Sequence, residues 1–176
     1  MKPIKTFSLL ASTLLLAACS QTAYEAYMTP DKQTKVYNAC QKIDALINEY
    51  NNNFERVKGE KIQSRASNIW KAKHHLIGQD CQVWSWGKDK TTYSCSTSAP
   101  SKEVAFEYYN NAKSKAAECL GEAWSLEEAK RNKDEGMKAE FSSSNSQAIV
   151  ATHVVPTQGL FKSEWTVYYY VGSAKM

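Results

Sequence analysis

Two short runs, "CQVWSW" at 81–86 and "TTYSCS" at 91–96, flank the tetrapeptide Gly87-Lys88-Asp89-Lys90. Runs rich in β-branched and aromatic residues on either side of a glycine-containing turn predict a β-hairpin. A register in which partner numbers sum to 176 sets Cys81 directly opposite Cys95. Directly opposite Cβ atoms lie about 4.5–5.5 Å apart, near the reach of a disulfide. A one-residue slip would turn every side chain to the other face, so a cross-link here constrains the whole sheet. It places Cys81, Val83, Tyr93 and Cys95 on one face, and Trp84 and Trp86 on the opposite one. Two large rings of this kind are expected to pack in a core. If the cysteine side is the inner one, they become an exposed ligand platform instead.

The hairpin sits within a recurring pattern. Thr29 before Pro30 and Asp31 forms an N-cap with proline at the first helical position. Val36, Cys40, Ile43, Ile47, Tyr50, Phe54 and Val57 then follow at steps of four and three, which predicts a helix stopped by Gly59. A three-strand meander is expected over 68–76, 81–86 and 91–96. Ser101 caps a second helix with the stripe Ala105, Tyr108, Ala112, Ala116, Cys119 and Ala123, ended or bent near Gly121. "SLEEAKRNKDEG" reads as a short turn in which Ser125 and Glu128 make a capping box. Strands follow over 138–143, 146–155 and 164–172. The expected fold is α+β: an antiparallel sheet with two main helices packed on one face, suggesting two α-β-β-β halves.

The chain opens "MKPIKTFSLLASTLLLAACS". Two lysines precede an apolar run over 7–18, too short to span a bilayer as a helix, which needs ~20 residues. A basic start, a short apolar core and small residues before the cut describe a secretory signal. The motif Leu16-Ala17-Ala18-Cys19 resembles the lipobox of bacterial lipoproteins. That resemblance, confined to the signal, implies cleavage after residue 18 and acylation of Cys19. It also implies a membrane partner, reached through the lipid, since two acyl chains give stable anchoring. Ser20 stands where an inner-membrane lipoprotein carries aspartate, so the resemblance favours the outer membrane, periplasmic face. The expected organisation is a signal peptide over 1–18, a lipidated tether over 19–30 and one domain over 31–176. Without Lys2 and Lys5 the formal charge of +4 falls to +2, and nucleic acid is not an expected partner.

Besides Cys19 the chain has Cys40, Cys81, Cys95 and Cys119. An even number in an exported chain reads as two disulfides. The favoured pairing is 81–95 with 40–119, which joins the two helices; the rival ties each helix to the sheet as 40–81 with 95–119. No Cys-x-x-Cys or supporting histidine spacing calls for a metal.

No catalytic motif is present, no cofactor is called for, and no catalytic residue is assigned. Adjacent His74 and His75 on a strand would face opposite ways. The acids Glu103, Glu107, Glu127 and Glu128 read as solvated helix faces. A hydrolase would need two convergent carboxylates, or a carboxylate with His153, in a cleft. The expected function is therefore non-enzymatic binding of another envelope component, a protein, a glycan or a lipid headgroup. An inhibitor or immunity protein against a periplasmic hydrolase or toxin is the alternative, and an envelope hydrolase the third. The binding candidates are Lys71, Lys73 and His75, outward on the first meander strand, with Tyr168 and Tyr170 on the last, besides Trp84 and Trp86.

Overall fold

The computed structural model describes residues 38–65, 67–76, 80–87, 90–158 and 163–173. Helix α1 spans Ala39–Tyr50 and α2 spans Lys102–Leu120. The strands are β1 Lys58–Ile62, β2 Asn68–Ala72, β3 Asp80–Ser85, β4 Thr91–Ala99, β5 Ser125–Lys130, β6 Met137–Ser143, β7 Ser146–Gln158 and β8 Ser163–Gly172. They form one antiparallel sheet in the order β1-β2-β3-β4-β8-β7-β6-β5. Each half is a helix followed by a four-strand meander, and the meanders meet where β4 pairs with β8. The expected α-β-β-β halves are thus α-β-β-β-β, because β1 and β5 are edge strands whose charged sequences carry no alternating signal.

Asn38 caps α1 with a reciprocal pair: Gln41 N donates to its side chain at 2.9 Å, and Asn38 N donates to the Gln41 side chain at 3.1 Å. The expected cap at Thr29 lies outside the described residues. The helix stops at Tyr50, seven residues before the expected end, and Gly59 belongs to β1. Three successive asparagines compete with helical backbone bonding. Asn53 and Phe54 then turn left-handed, at φ 53° and 58°. Phe54 and Val57 are nonetheless fully buried, so the apolar spacing recorded their burial but not a helix. Phe54 packs between Tyr50 and Tyr93. The α1 face also buries Glu49, an acid that patterning would have placed outside.

Ser101 Oγ accepts from Val104 N to start α2, and Gly121 at φ 66° ends it. Its buried residues are Ala105, Tyr109, Ala112, Ala116 and Leu120. The stripe is rotated from the expected one: Tyr108 is exposed, and Ala123 lies past the helix. Both helices contact β4, β7 and β8 from one side of the sheet. The core there joins Ala99, Ala105, Tyr109, Ala139, Val154, Trp165 and Val167. The segment expected as a capped turn is β5, paired throughout with β6. Glu128 accepts from the Tyr109 hydroxyl at 2.7 Å and from Lys113 Nζ at 2.8 Å, fixing this edge strand to α2.

Two disulfides are present, Cys40–Cys119 between the helices and Cys81–Cys95 between directly opposite residues of β3 and β4. Among the described residues no helix is long and apolar enough to cross a membrane.

Candidate functional site

Strand alternation decides which side chains face away from the helices. Cys81, Val83, Tyr93 and Cys95 are all within 3% of full burial, so the disulfide side is the inner one. Trp84 and Trp86 must then face outward, against the expectation of core packing. Their rings stack at 5.7 Å, and Trp86 is 48% exposed. The physical reason is that the disulfide, Val83 and the Tyr93 ring already fill the space beneath the helices.

In β8, Trp165, Val167 and Val171 are buried with the helices, while Tyr168 and Tyr170 face outward and stack at 5.9 Å. Lys71 shares this outer face but is paired with Glu60 at 3.0 Å. In register, Lys71, Gln82, Ser94 and Tyr170 form one row, so Lys71 lies three strands, about 14 Å, from the tyrosines. Lys73 and His75 do not join that row. β2 ends at Ala72, Lys73 Nζ reaches the Arg56 carbonyl, and the His75 carbonyl accepts from Lys42 of α1. The bend over 73–76 instead covers Tyr93, whose hydroxyl donates to the His74 carbonyl and accepts from Leu76 N. The expected basic-and-aromatic cluster built on Lys71, Lys73 and His75 is therefore not assembled. Cys19 lies outside the described residues.

The cations beside the tyrosines come from the other end of the sheet. Arg131 is held by Asp134, whose two carboxylate oxygens each lie 3.1 Å from its Nε, and its NH1 lies 3.3 Å from His153 Nδ1. Arginine can only donate, so Nδ1 accepts and the imidazole proton sits on Nε2. Burial, with the Arg131 and Lys138 charges, lowers the His153 pKa to about 4, against a smaller opposing effect of Asp134. The ring is neutral at pH 7. It meets Tyr170 edge-on at 5.0 Å, so Arg131, His153, Tyr170 and Tyr168 form a continuous buttressed row. Burial and the neighbouring Tyr168 push the Tyr170 hydroxyl up to about 12, which keeps it protonated. No periodic signal marks Arg131, in a turn between two strands; only the register of β6, β7 and β8 brings it here.

His153 does meet a carboxylate: Glu140 Oε1 lies 3.8 Å from Nε2, and Glu140 also faces Lys138 at 3.4 Å. This pair is on an open sheet face. One cavity, of about 640 Å³, lies at the β1–β2 hairpin beside Lys61 and Arg65; another, of about 250 Å³, lies between α2 and the sheet beside Tyr108 and Tyr169. Neither includes His153. Among the described residues Nε2 has no hydrogen-bond partner, and Nδ1 accepts from Arg131, so His153 holds no hydroxyl or thiol for activation. Among the described residues no three histidine, cysteine or acidic side chains are grouped to hold a metal.

No protein-family description matches the chain, and neither a curated protein nor a solved structure is found to be similar to it.

Proposed function

We propose that this chain is a lipoprotein of the outer membrane, held at the periplasmic face through acylated Cys19, that binds another envelope component without catalysing a reaction. The observation that carries the reading is the outer face of the sheet. Both helices pack on the other side, and this side presents two stacked aromatic pairs, Trp84/Trp86 and Tyr168/Tyr170. Eight strands at ~4.8 Å spacing, averaging between seven and eight residues, give a face on the order of 1,000 Å². That is close to the ~800 Å² per partner of a specific macromolecular contact. Aromatic residues with polar tips suit such a surface, being large, rigid and able to hydrogen-bond. Two disulfides suit an oxidising compartment and agree with the export signal.

Two measurements test this. Mass spectrometry of the N-terminal peptide should show Cys19 as the first residue, carrying acyl chains. A photo-crosslinking amino acid replacing Ser96 on the outer face should give adducts in intact cells, and the same probe replacing Glu107 on α2 should give none. An unprocessed, unacylated N-terminus, or adducts from the helix side alone, would refute the reading.

A further inference from the structure

We propose that the strip of the open face along β4, between β3 and β8, is a trough that binds a neutral glycan chain. This deepens the reading of the face as a binding surface and rests on it. The outward residues of β4 are Thr92, Ser94, Ser96 and Ser98, all short and all hydroxylated. Successive hydroxyls on one face of a strand stand ~6.7 Å apart, so the three serines make an accessible line about 13 Å long, with Thr92 covered at its head. On one side the register sets Trp84 beside Thr92 and Gln82 beside Ser94. On the other it sets Tyr170 beside Ser94 and Tyr168 beside Ser96. Large side chains on both neighbours and short ones between them leave a channel about two strand spacings, ~10 Å, wide.

The chemistry of this channel selects among ligands. Among the described residues the hydroxyls of Ser94, Ser96, Ser98, Tyr168 and Tyr170 make no side-chain hydrogen bond, and each both donates and accepts. Thr92 at the head of the line is 1% exposed, and its hydroxyl has no partner among the described residues. It lies against Gly172 of β8, where any Cβ would stand 2.6 Å from that oxygen. No lysine or arginine lies beside the line in register. Lys90 precedes the head of β4, and Lys71 is two strands away and paired with Glu60. Arg131, behind His153 and Tyr170, is held by Asp134, while Asp80 flanks Ser96 and Glu164 lies beyond Thr166. Anionic headgroups and charged polymers are disfavoured there. A protein partner is disfavoured as well, because interface centres are depleted in serine and energetic anchors in serine and threonine. A polyhydroxylated chain satisfies free hydroxyls along the floor and lays its apolar ring faces against aromatic walls. The length of the line calls for several linked sugars.

The test titrates the mature full-length protein with two probes, the hexasaccharide of β-1,4-linked N-acetylglucosamine and that of β-1,4-linked glucose. The readouts are tryptophan fluorescence, which Trp84 reports, and amide chemical shifts. The expected result is saturable binding of at least one probe, with shifts centred on β4 and β8. Ser94→Val with Ser96→Val should weaken it roughly tenfold or more through two lost hydrogen bonds, with the unfolding temperature retained. Tyr168→Ala should also weaken it, while Tyr108→Ala on α2 should leave it unchanged. Failure of both probes to saturate, or equal binding by the double valine variant, overturns the proposal. Protein-only adducts from the probe at position 96 in cells overturn the glycan and leave the binding face standing; no adduct of any kind there removes both.

Discussion

His153 is the residue of the open face whose protonation is coupled to folding. In the folded chain it takes a proton near pH 4, below its ordinary 6.5, chiefly because it is buried. Between those values the unfolded chain holds more protons, so stability is intact above about pH 6.5 and falls as the pH drops toward 4. The loss amounts to up to about 3 kcal/mol. Urea unfolding at pH 7, 5.5 and 4.5 should show that slope, and His153→Gln should flatten it; equal slopes in the two proteins would dismiss the assignment. Glu128 is the second informative residue, since it is the acceptor for the nearly fully buried Tyr109 hydroxyl. Glu128→Ala should cost about 1–3 kcal/mol by leaving that hydroxyl unpaired. Amide exchange in β5 should quicken, and unchanged exchange would show that the edge strand is held by other means. Neither role is legible in the sequence: "LEEAK" reads as a solvated helical turn, and His153 lies in a strand whose neighbours come from distant segments.

At the scale of elements, patterning succeeded where a strand is substantially buried and failed where it is not. β3 and β6 alternate buried with part-exposed residues, whereas β7 buries Ala148 to Thr152 without a break and is legible instead as an apolar, β-branched run. β1 and β5 bury little, so nothing in "KGEKI" or "SLEEAK" betrays a strand. The overlong α1 has a different origin, since Phe54 and Val57 reach the core from a turn and mimic helical spacing. The ring size of Trp84 and Trp86 points to a core, but the disulfide side already fills that space. The turn leading into β6 is tightly constrained. A Cβ at Gly136 would lie 2.1 Å from the Val154 carbonyl oxygen, and Gly136 N donates to Asp134, which holds Arg131. Gly136→Ala should therefore destabilise by several kcal/mol by forcing β6 from β7. It should also loosen the Arg131–His153 contact, seen as an upward shift of the His153 titration by NMR. A fully stable variant would contradict the described packing.

For the molecule as a whole, the two cross-links act on different chain lengths. Cys40–Cys119 spans 79 residues and Cys81–Cys95 spans 14. Loop entropy assigns them about 4.5 and 3 kcal/mol respectively. Replacing both cysteines of the helix pair by serine should thus lower stability more than replacing the strand pair; the reverse order would mean that local packing outweighs loop length. The architecture they staple turns one sheet face to the helices and leaves the other open, and the central claim is that binding occurs on the open one. Co-sedimentation of the acylation-free mature chain with isolated cell envelopes tests it most directly. Trp86→Glu with Tyr168→Glu on the open face should abolish retention, while Tyr108→Glu with Glu107→Lys on α2 should leave it intact. Retention that survives the first pair and is lost with the second would contradict the account.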